Sequence, residues 1–121
     1  MTSSSIPRRG EIWIVDLDPT RGAEMQKQRT VVVMSLDALA KLPIHIIVPI
    51  TGWQPSFASS AWFYKLIPTK KNGLDKESGA DAFQLRAVSR ERFIRKVGAL
   101  DADQLDEIAY RVALCIGLKP F

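Results

Sequence analysis

Arg29 is the residue around which the chemistry of this sequence gathers. It follows the polar pair Lys27-Gln28 and opens Thr30-Val31-Val32-Val33, a β-branched run suited to a half-buried strand. A guanidinium at that threshold is fixed by a strand yet open to solvent. Thr51 ends a second apolar run, IIVPIT from Ile46, with a hydroxyl. Arg21, Gln26, Gln28, Lys70, Lys71 and Arg86 add cations and amides at other expected strand ends. A bent sheet that gathered several of them on one rim would grip a phosphodiester without a metal. It would also stabilise developing negative charge and hydrogen-bond unpaired bases. Trp53 lies in a polar loop and is either a base-stacking platform or a lid contact.

Other chemistries find little support. The single histidine, His45, permits no paired-histidine mechanism within one chain and reads as a structural strand residue. His45 and Thr51 share strand parity, yet six residues of extended chain separate them by ~20 Å. No set of Cys and His at ligand spacing suggests zinc, and no phosphate-cradling glycine loop of the P-loop type occurs. Asp16 and Asp18 stand at i, i+2 spacing and suit Mg²⁺. Asp18 before Pro19 reads first as turn chemistry, so no metal and no cofactor is expected.

The elements that must position these groups are mostly strands. Glu11–Leu17, Arg29–Ser35, His45–Thr51, Trp62–Ile67, about Asp81–Ser89 and Arg92–Leu100 read as strands from their β-branched and aromatic content. Pro49 predicts an edge position or a bulge for the third of these, since proline donates no ladder hydrogen bond. Ser35–Leu42 is ambiguous, with room for one helical turn, and Pro68–Gly79 reads as a long basic loop. The period changes at Asp101, which with Gln104 resembles a capping box. Leu105, Ile108, Val112 and Ile116 then recur at helical spacing, so an amphipathic helix is expected from Asp101 to about Ile116, ended by Gly117. Five or six short strands with late helical cover imply an α+β fold that is mainly β: a small, strongly bent antiparallel sheet or open barrel.

Composition sets the bounds. A chain of 121 residues with 46% hydrophobic and 25% charged residues suits one folded domain rather than a disordered segment. Residues 1–8 are expected to form a flexible tail and residues 9–118 the domain. No apolar run approaches the roughly 18 residues of a membrane helix. No signal peptide is evident, and the lone Cys115 fits a reducing compartment, so a cytoplasmic protein with no membrane partner is expected. A net charge of +4 with a pI near 9.5 suits a polyanionic partner.

The run from Gly10 to Val33, GEIWIVDLDPTRGAEMQKQRTVVV, resembles the opening of the MazF/PemK (Kid) toxin family. The likeness continues through IIVPIT, the basic loop with NGLDKES (Asn72–Ser78), FQLRAVS (Phe83–Ser89) and RFIRKVGAL before the closing helix, and so covers about Arg9 to Leu118. It implies a compact SH3-like barrel of the MazF/Kid/CcdB toxin type, usually a homodimer. It also implies a type II toxin acting as a sequence-specific, metal-independent endoribonuclease on single-stranded RNA (an mRNA interferase). Such enzymes leave a 2′,3′-cyclic phosphate and a 5′-hydroxyl. The family's catalytic arginine and threonine fall on Arg29 and Thr51. Substrate contacts are expected from Asp18, Arg21, Gln26, Gln28, Trp53, Lys70, Lys71, Gln84 and Arg86. The implied partners are RNA and an antitoxin with an acidic, disordered segment, with DNA reached only through the antitoxin complex.

Three residues, Gln28, Thr30 and Phe83, depart from the family pattern. Gln28-Arg29-Thr30 replaces a common His-Arg-Pro. Phe83-Gln84-Leu85-Arg86 replaces a common Asp-Gln-x-Arg. Asp81, two residues before Phe83 and of the same strand parity, is in a position to compensate. Two rival readings are a same-fold toxin that binds DNA gyrase, as CcdB does, and a non-catalytic nucleic-acid-binding barrel.

Overall fold

The structure is a computed structural model that describes residues 6–17 and 28–119. Among the described residues, seven strands form one antiparallel sheet: β1 (Glu11–Asp16), β2 (Gln28–Val33), β3 (Ile44–Gly52), β4 (Phe63–Leu66), β5 (Ser78–Asp81), β6 (Arg86–Ser89) and β7 (Phe93–Ala99). Their order is β4-β5-β3-β2-β1-β7, with β6 also paired to β3, and the two ends of this path do not close on each other. One helix, α1 (Ala102–Cys115), follows the sheet. The expected mainly-β architecture with a C-terminal helix is the one observed, as an open sheet.

Each face of the sheet carries its own core, as strand alternation requires. Ile12, Val32, Val48, Ile50, Leu66 and Ala80 pack on one face beneath Leu105 and Ile108 of α1. Trp13, Val15, Val31, Val33, Ile47, Val88 and Phe93 pack on the other. The helix starts as its sequence proposed: the Asp101 N–H donates to Gln104 Oε1 at 3.1 Å in a capping box. It stops at Cys115, so Ile116 falls beyond the last turn and is 71% exposed instead of completing the apolar stripe. Ala113 is buried in its place.

Pro49 overturns the edge-strand expectation. β3 lies inside the sheet, with Pro49 opposite Val31 of β2. The Met34 N–H donates to the Ile46 carbonyl, which makes 34/46, and by alternation 32/48 and 30/50, the hydrogen-bonded pairs of β2 and β3. Pro49 belongs to a non-hydrogen-bonded pair, so its nitrogen points away from β2. On that other side β6 pairs up to Ile47 and β5 begins at Ile50, leaving no ladder partner at Pro49. A central strand tolerates the missing donor because it falls in the gap between two short neighbours.

The expected single strand from Asp81 to Ser89 is broken for the same reason. β5 ends at Asp81, a 3-10 turn spans Ala82–Gln84, and β6 then returns to the same side of β3. Ser35–Leu42 contains a 3-10 turn at Asp37–Leu39. The basic loop after β4 is pinned by the buried Asn72. Its Oδ1 accepts from the N–H groups of Thr69 and Leu74, both at 3.0 Å, and its Nδ2 donates to the Ile67 carbonyl at 2.9 Å. Pro7 is buried, and the Gly10 N–H donates to the Val33 carbonyl at 2.8 Å.

Candidate active site

The register of β2 and β3, continued one residue past Thr30 and Ile50, sets Arg29 opposite Thr51. Alternation makes this a non-hydrogen-bonded pair, the kind whose side chains approach most closely. Both residues are exposed. They share the face of Val15, Val31 and Val33, where the apolar cluster gives out at the end of the strands. Val15 stands opposite Arg29 on β1, so buried packing holds the strand that carries the guanidinium.

The row continues across the sheet. Thr51 pairs with Gly79 of β5, and Gly79 pairs with Lys65 of β4. With no side chain at Gly79, Lys65 reaches over the same surface. Its Nζ lies 3.3 Å from Glu77 Oε1 and 5.2 Å above the ring of Trp53. Trp53 itself is half-buried two residues beyond Thr51, and its backbone N–H donates to the Glu77 carbonyl at 3.0 Å. A cation, a hydroxyl, a second cation and an indole therefore line one open rim.

Other expected site residues are more scattered. Gln28, exposed and opposite Asp16, has the parity of the helix-covered face rather than that of Arg29. Arg86 pairs with Ile47, on the Arg29 face but four β3 residues from Thr51, ~13 Å away. Gln84 donates from Nε2 to Asp81 Oδ2 at 3.0 Å, while Asp81 Oδ1 accepts the Phe83 N–H at 3.2 Å. Asp81 thus spends its carboxylate capping the turn before β6. Lys71 lies 2.5 Å from Asp101 Oδ1, and its carbonyl accepts from Ala99, the partner of Glu11. The structure thus sets Lys70 and Lys71 beside the start of β1, whereas Arg29 is beside its end. Asp18, Arg21 and Gln26 lie outside the described residues.

Lys65 and Glu77 are the members of this rim that the sequence reading missed. The one available signal is the charge of Lys65 inside the otherwise apolar or aromatic run Trp62–Ile67.

The buried His45 serves the scaffold. Its ring meets Phe93 edge-on at 5.4 Å, and its Nε2 accepts from Arg90 Nε at 3.4 Å. Burial, and then the Arg90 charge, push its pKa below the usual imidazole value. Among the described residues no three His, Cys, Asp or Glu side chains converge as a metal site. No helix of the structure is long and apolar enough to cross a membrane. A cleft of about 530 Å³, lined by Asp16, Ser89, Glu91, Arg92 and Ile94, lies at the β1–β7 side of the sheet. Among the described residues the Arg29–Thr51 rim is open surface, a form that suits an extended polymer better than a small enclosed ligand.

Comparison with known proteins places this geometry in context. Residues 8–116 match the profile of a family described as PemK-like, MazF-like toxin of type II toxin-antitoxin system. The chain is 34% identical over 117 residues to Endoribonuclease MazF9 of Mycobacterium tuberculosis, covering 92% of this chain and 97% of that protein. Its fold is similar to that of the Mycobacterium tuberculosis toxin MazF-mt6, with a TM-score of 0.73 at 21% identity over 90% of this chain and 98% of that one. It is equally similar, at a TM-score of 0.73 and 15% identity, to a mycobacterial endoribonuclease solved in complex with its cognate antitoxin; the match covers 93% of this chain and 97% of that one.

Proposed function

The chain belongs to the PemK-like, MazF-like toxins of type II toxin-antitoxin systems, and on that premise we propose that it cuts single-stranded RNA at Arg29 and Thr51. It is an endoribonuclease toxin. The reading is supported by the register of β2 and β3, which, continued one residue past Thr30 and Ile50, brings the exposed Arg29 and Thr51 opposite each other at a strand end.

The reaction suits these two groups. The 2′-hydroxyl of the RNA attacks its own neighbouring phosphorus, and the bond to the 5′-oxygen breaks. The products are a 2′,3′-cyclic phosphate and a 5′-hydroxyl. Because substrate and nucleophile are one molecule, the protein has to align them, stabilise charge and move protons. Arginine stays protonated, so Arg29 serves by stabilising the phosphorane oxygens with its planar fork and by offering a proton towards the leaving oxygen. Thr51 hydrogen-bonds the phosphate or the attacking hydroxyl. Neither role requires a metal.

The domain spans residues 9–118 and works as a homodimer in the cytoplasm, where its substrate is found. The cationic rim suits an antitoxin segment that is acidic and folds on binding, so that antitoxin and RNA compete for one surface. DNA is contacted only through the antitoxin.

The test is cleavage of single-stranded RNA in excess EDTA, with the termini identified. Cyclic phosphate and 5′-hydroxyl ends are expected. Activity that vanishes with EDTA and returns with Mg²⁺, or 5′-phosphate products, would overturn the mechanism.

A further inference from the structure

Three aromatic rings stand outside both cores, next to Thr51. Trp53 meets Phe57 edge-on, centroids 5.5 Å apart at 88°, and Phe57 stacks on Phe63 at 3.8 Å and 6°. They close over Gly79: a Cβ there would stand 3.1 Å from Phe63, 3.1 Å from Trp53 and 3.3 Å from Phe57. All three rings are half-buried, and none belongs to either apolar cluster. A rigid aromatic shelf that contributes to neither core and ends at a cation and a carboxylate is built like a ligand platform. The Lys65 side chain is 43% exposed and that of Glu77 55%, so both heads are accessible.

We propose that Trp53, Lys65 and Glu77 form a subsite that reads a guanine in a nucleotide flanking the scissile phosphate. This rests on the reading of Arg29 and Thr51 as the place of cleavage. Trp53 lies two residues beyond Thr51, ~7 Å along the strand, within reach of a base attached to an adjacent ribose. Stacking on the indole is tolerant of sequence, since every base has a π-face. Selection comes from the ion pair. The two carboxylate oxygens of Glu77 accept from two neighbouring donors, and the Lys65 ammonium donates to an adjacent acceptor. Guanine alone presents that set, with N1–H and N2–H beside O6. Adenine and cytosine each offer one amino donor on that edge. Uracil offers one ring N–H between two carbonyl oxygens, one of which would face the carboxylate. Contacts of this bidentate kind discriminate by roughly 5- to 150-fold.

The experiment compares cleavage of a randomised single-stranded RNA by the wild type, Glu77→Gln, Lys65→Met and Trp53→Leu, each checked by thermal melting. The wild type should favour guanine at one position next to the cut. Glu77→Gln and Lys65→Met should reduce that preference at least ~5-fold and leave the choice at other positions unchanged. Trp53→Leu should slow cleavage for every base there. A wild type indifferent to guanine at both flanking positions, or a Glu77→Gln variant with full preference, would overturn the subsite. A protein that cuts no RNA would sink the cleavage reading instead. The subsite is then decided by titrating guanosine 3′-monophosphate against the other three nucleotides and following indole fluorescence. Tighter guanosine binding, lost in Glu77→Gln and optically silent in Trp53→Leu, supports it. Equal affinity for all four overturns it.

Discussion

Arg29 and Thr51 each lie one residue beyond Thr30 and Ile50, the last paired position of β2 and β3. Continuing that register sets the two opposite each other in a non-hydrogen-bonded position. Behind Arg29 the buried Val15 fixes β1, and beyond Thr51 the rings of Trp53, Phe57 and Phe63 close over Gly79, the residue that pairs with Lys65. Both residues are exposed at this strand end. That geometry positions a guanidinium without burying its charge, which would be costly without a partner.

Replacing Arg29 by Ala should slow single-turnover cleavage of a short single-stranded RNA on the order of 10²-fold or more, by analogy with the loss of an oxyanion donor. Arg29→Lys should recover part of the rate, since an ammonium restores charge but not the planar fork. Melting temperature should be nearly unchanged for both, because the side chain is exposed. A folded Arg29→Ala protein cutting at the wild-type rate would make Arg29 a mere surface cation.

Thr51→Val removes a hydroxyl while keeping the β-branched shape that suits β3. A hydrogen bond to a charged group contributes about 1.5–3 kcal/mol, so the rate should fall roughly 10- to 100-fold with the fold intact. Thr51→Ser should retain most of the activity. If Val and Ser variants cut equally well, the hydroxyl takes no part.

The sequence revealed periods and types more readily than neighbours. Trp13 is buried, and α1 is capped by Asp101 with Gln104 as its partner, because those features depend on residues close in the chain. Pro49 misled because the gap that accepts it depends on where β5 and β6 end, a fact of pairing between distant segments. Lys71 looked like a rim cation until the turn held by Asn72 carried it to Asp101. Lys65 was invisible for the converse reason: only the pairing of Gly79 with both Thr51 and Lys65 brings it to the site. Arg29 and Thr51 stood out as a cation and a hydroxyl at strand ends, family resemblance gave them a catalytic role, and the register of β2 and β3, continued by one residue, offers a physical reason for them to meet.

Asn72 should matter for stability although it lies away from the rim. Its side chain satisfies the N–H groups of Thr69 and Leu74 and the carbonyl of Ile67, and the residue is 1% exposed. Asn72→Ala orphans those groups at about 1–3 kcal/mol each where water cannot replace the side chain. A total loss of about 3 kcal/mol or more is expected in denaturant unfolding. Asn72→Asp should also destabilise, since the donor to Ile67 is replaced by a buried charge. Unfolding midpoints equal to wild type for both variants would show that the loop does not depend on this hub.

The last prediction concerns pH. His45 is buried against Phe93, with Arg90 at its Nε2, and both burial and that neighbouring cation favour the neutral ring. Its folded pKa therefore lies below the ordinary value of 6.5. The unfolded chain takes up the proton first as pH falls, so the unfolded state binds more protons in that window. The stability contributed by neutral His45 is complete above about pH 6.5, declines below it, and is lost as pH falls through the lower folded pKa. Arg90 also donates from Nη2 to the carbonyls of Ala40 at 2.6 Å and Leu42 at 2.7 Å, so a charged imidazole beside it would strain the segment between β2 and β3. Thermal melts from about pH 8 to about pH 5 should show this decline in the wild type. His45→Gln keeps an acceptor for Arg90 but cannot titrate, so its curve should be flatter over the same range. Parallel curves for the two proteins would mean that other groups carry the acid sensitivity and that His45 contributes none of it.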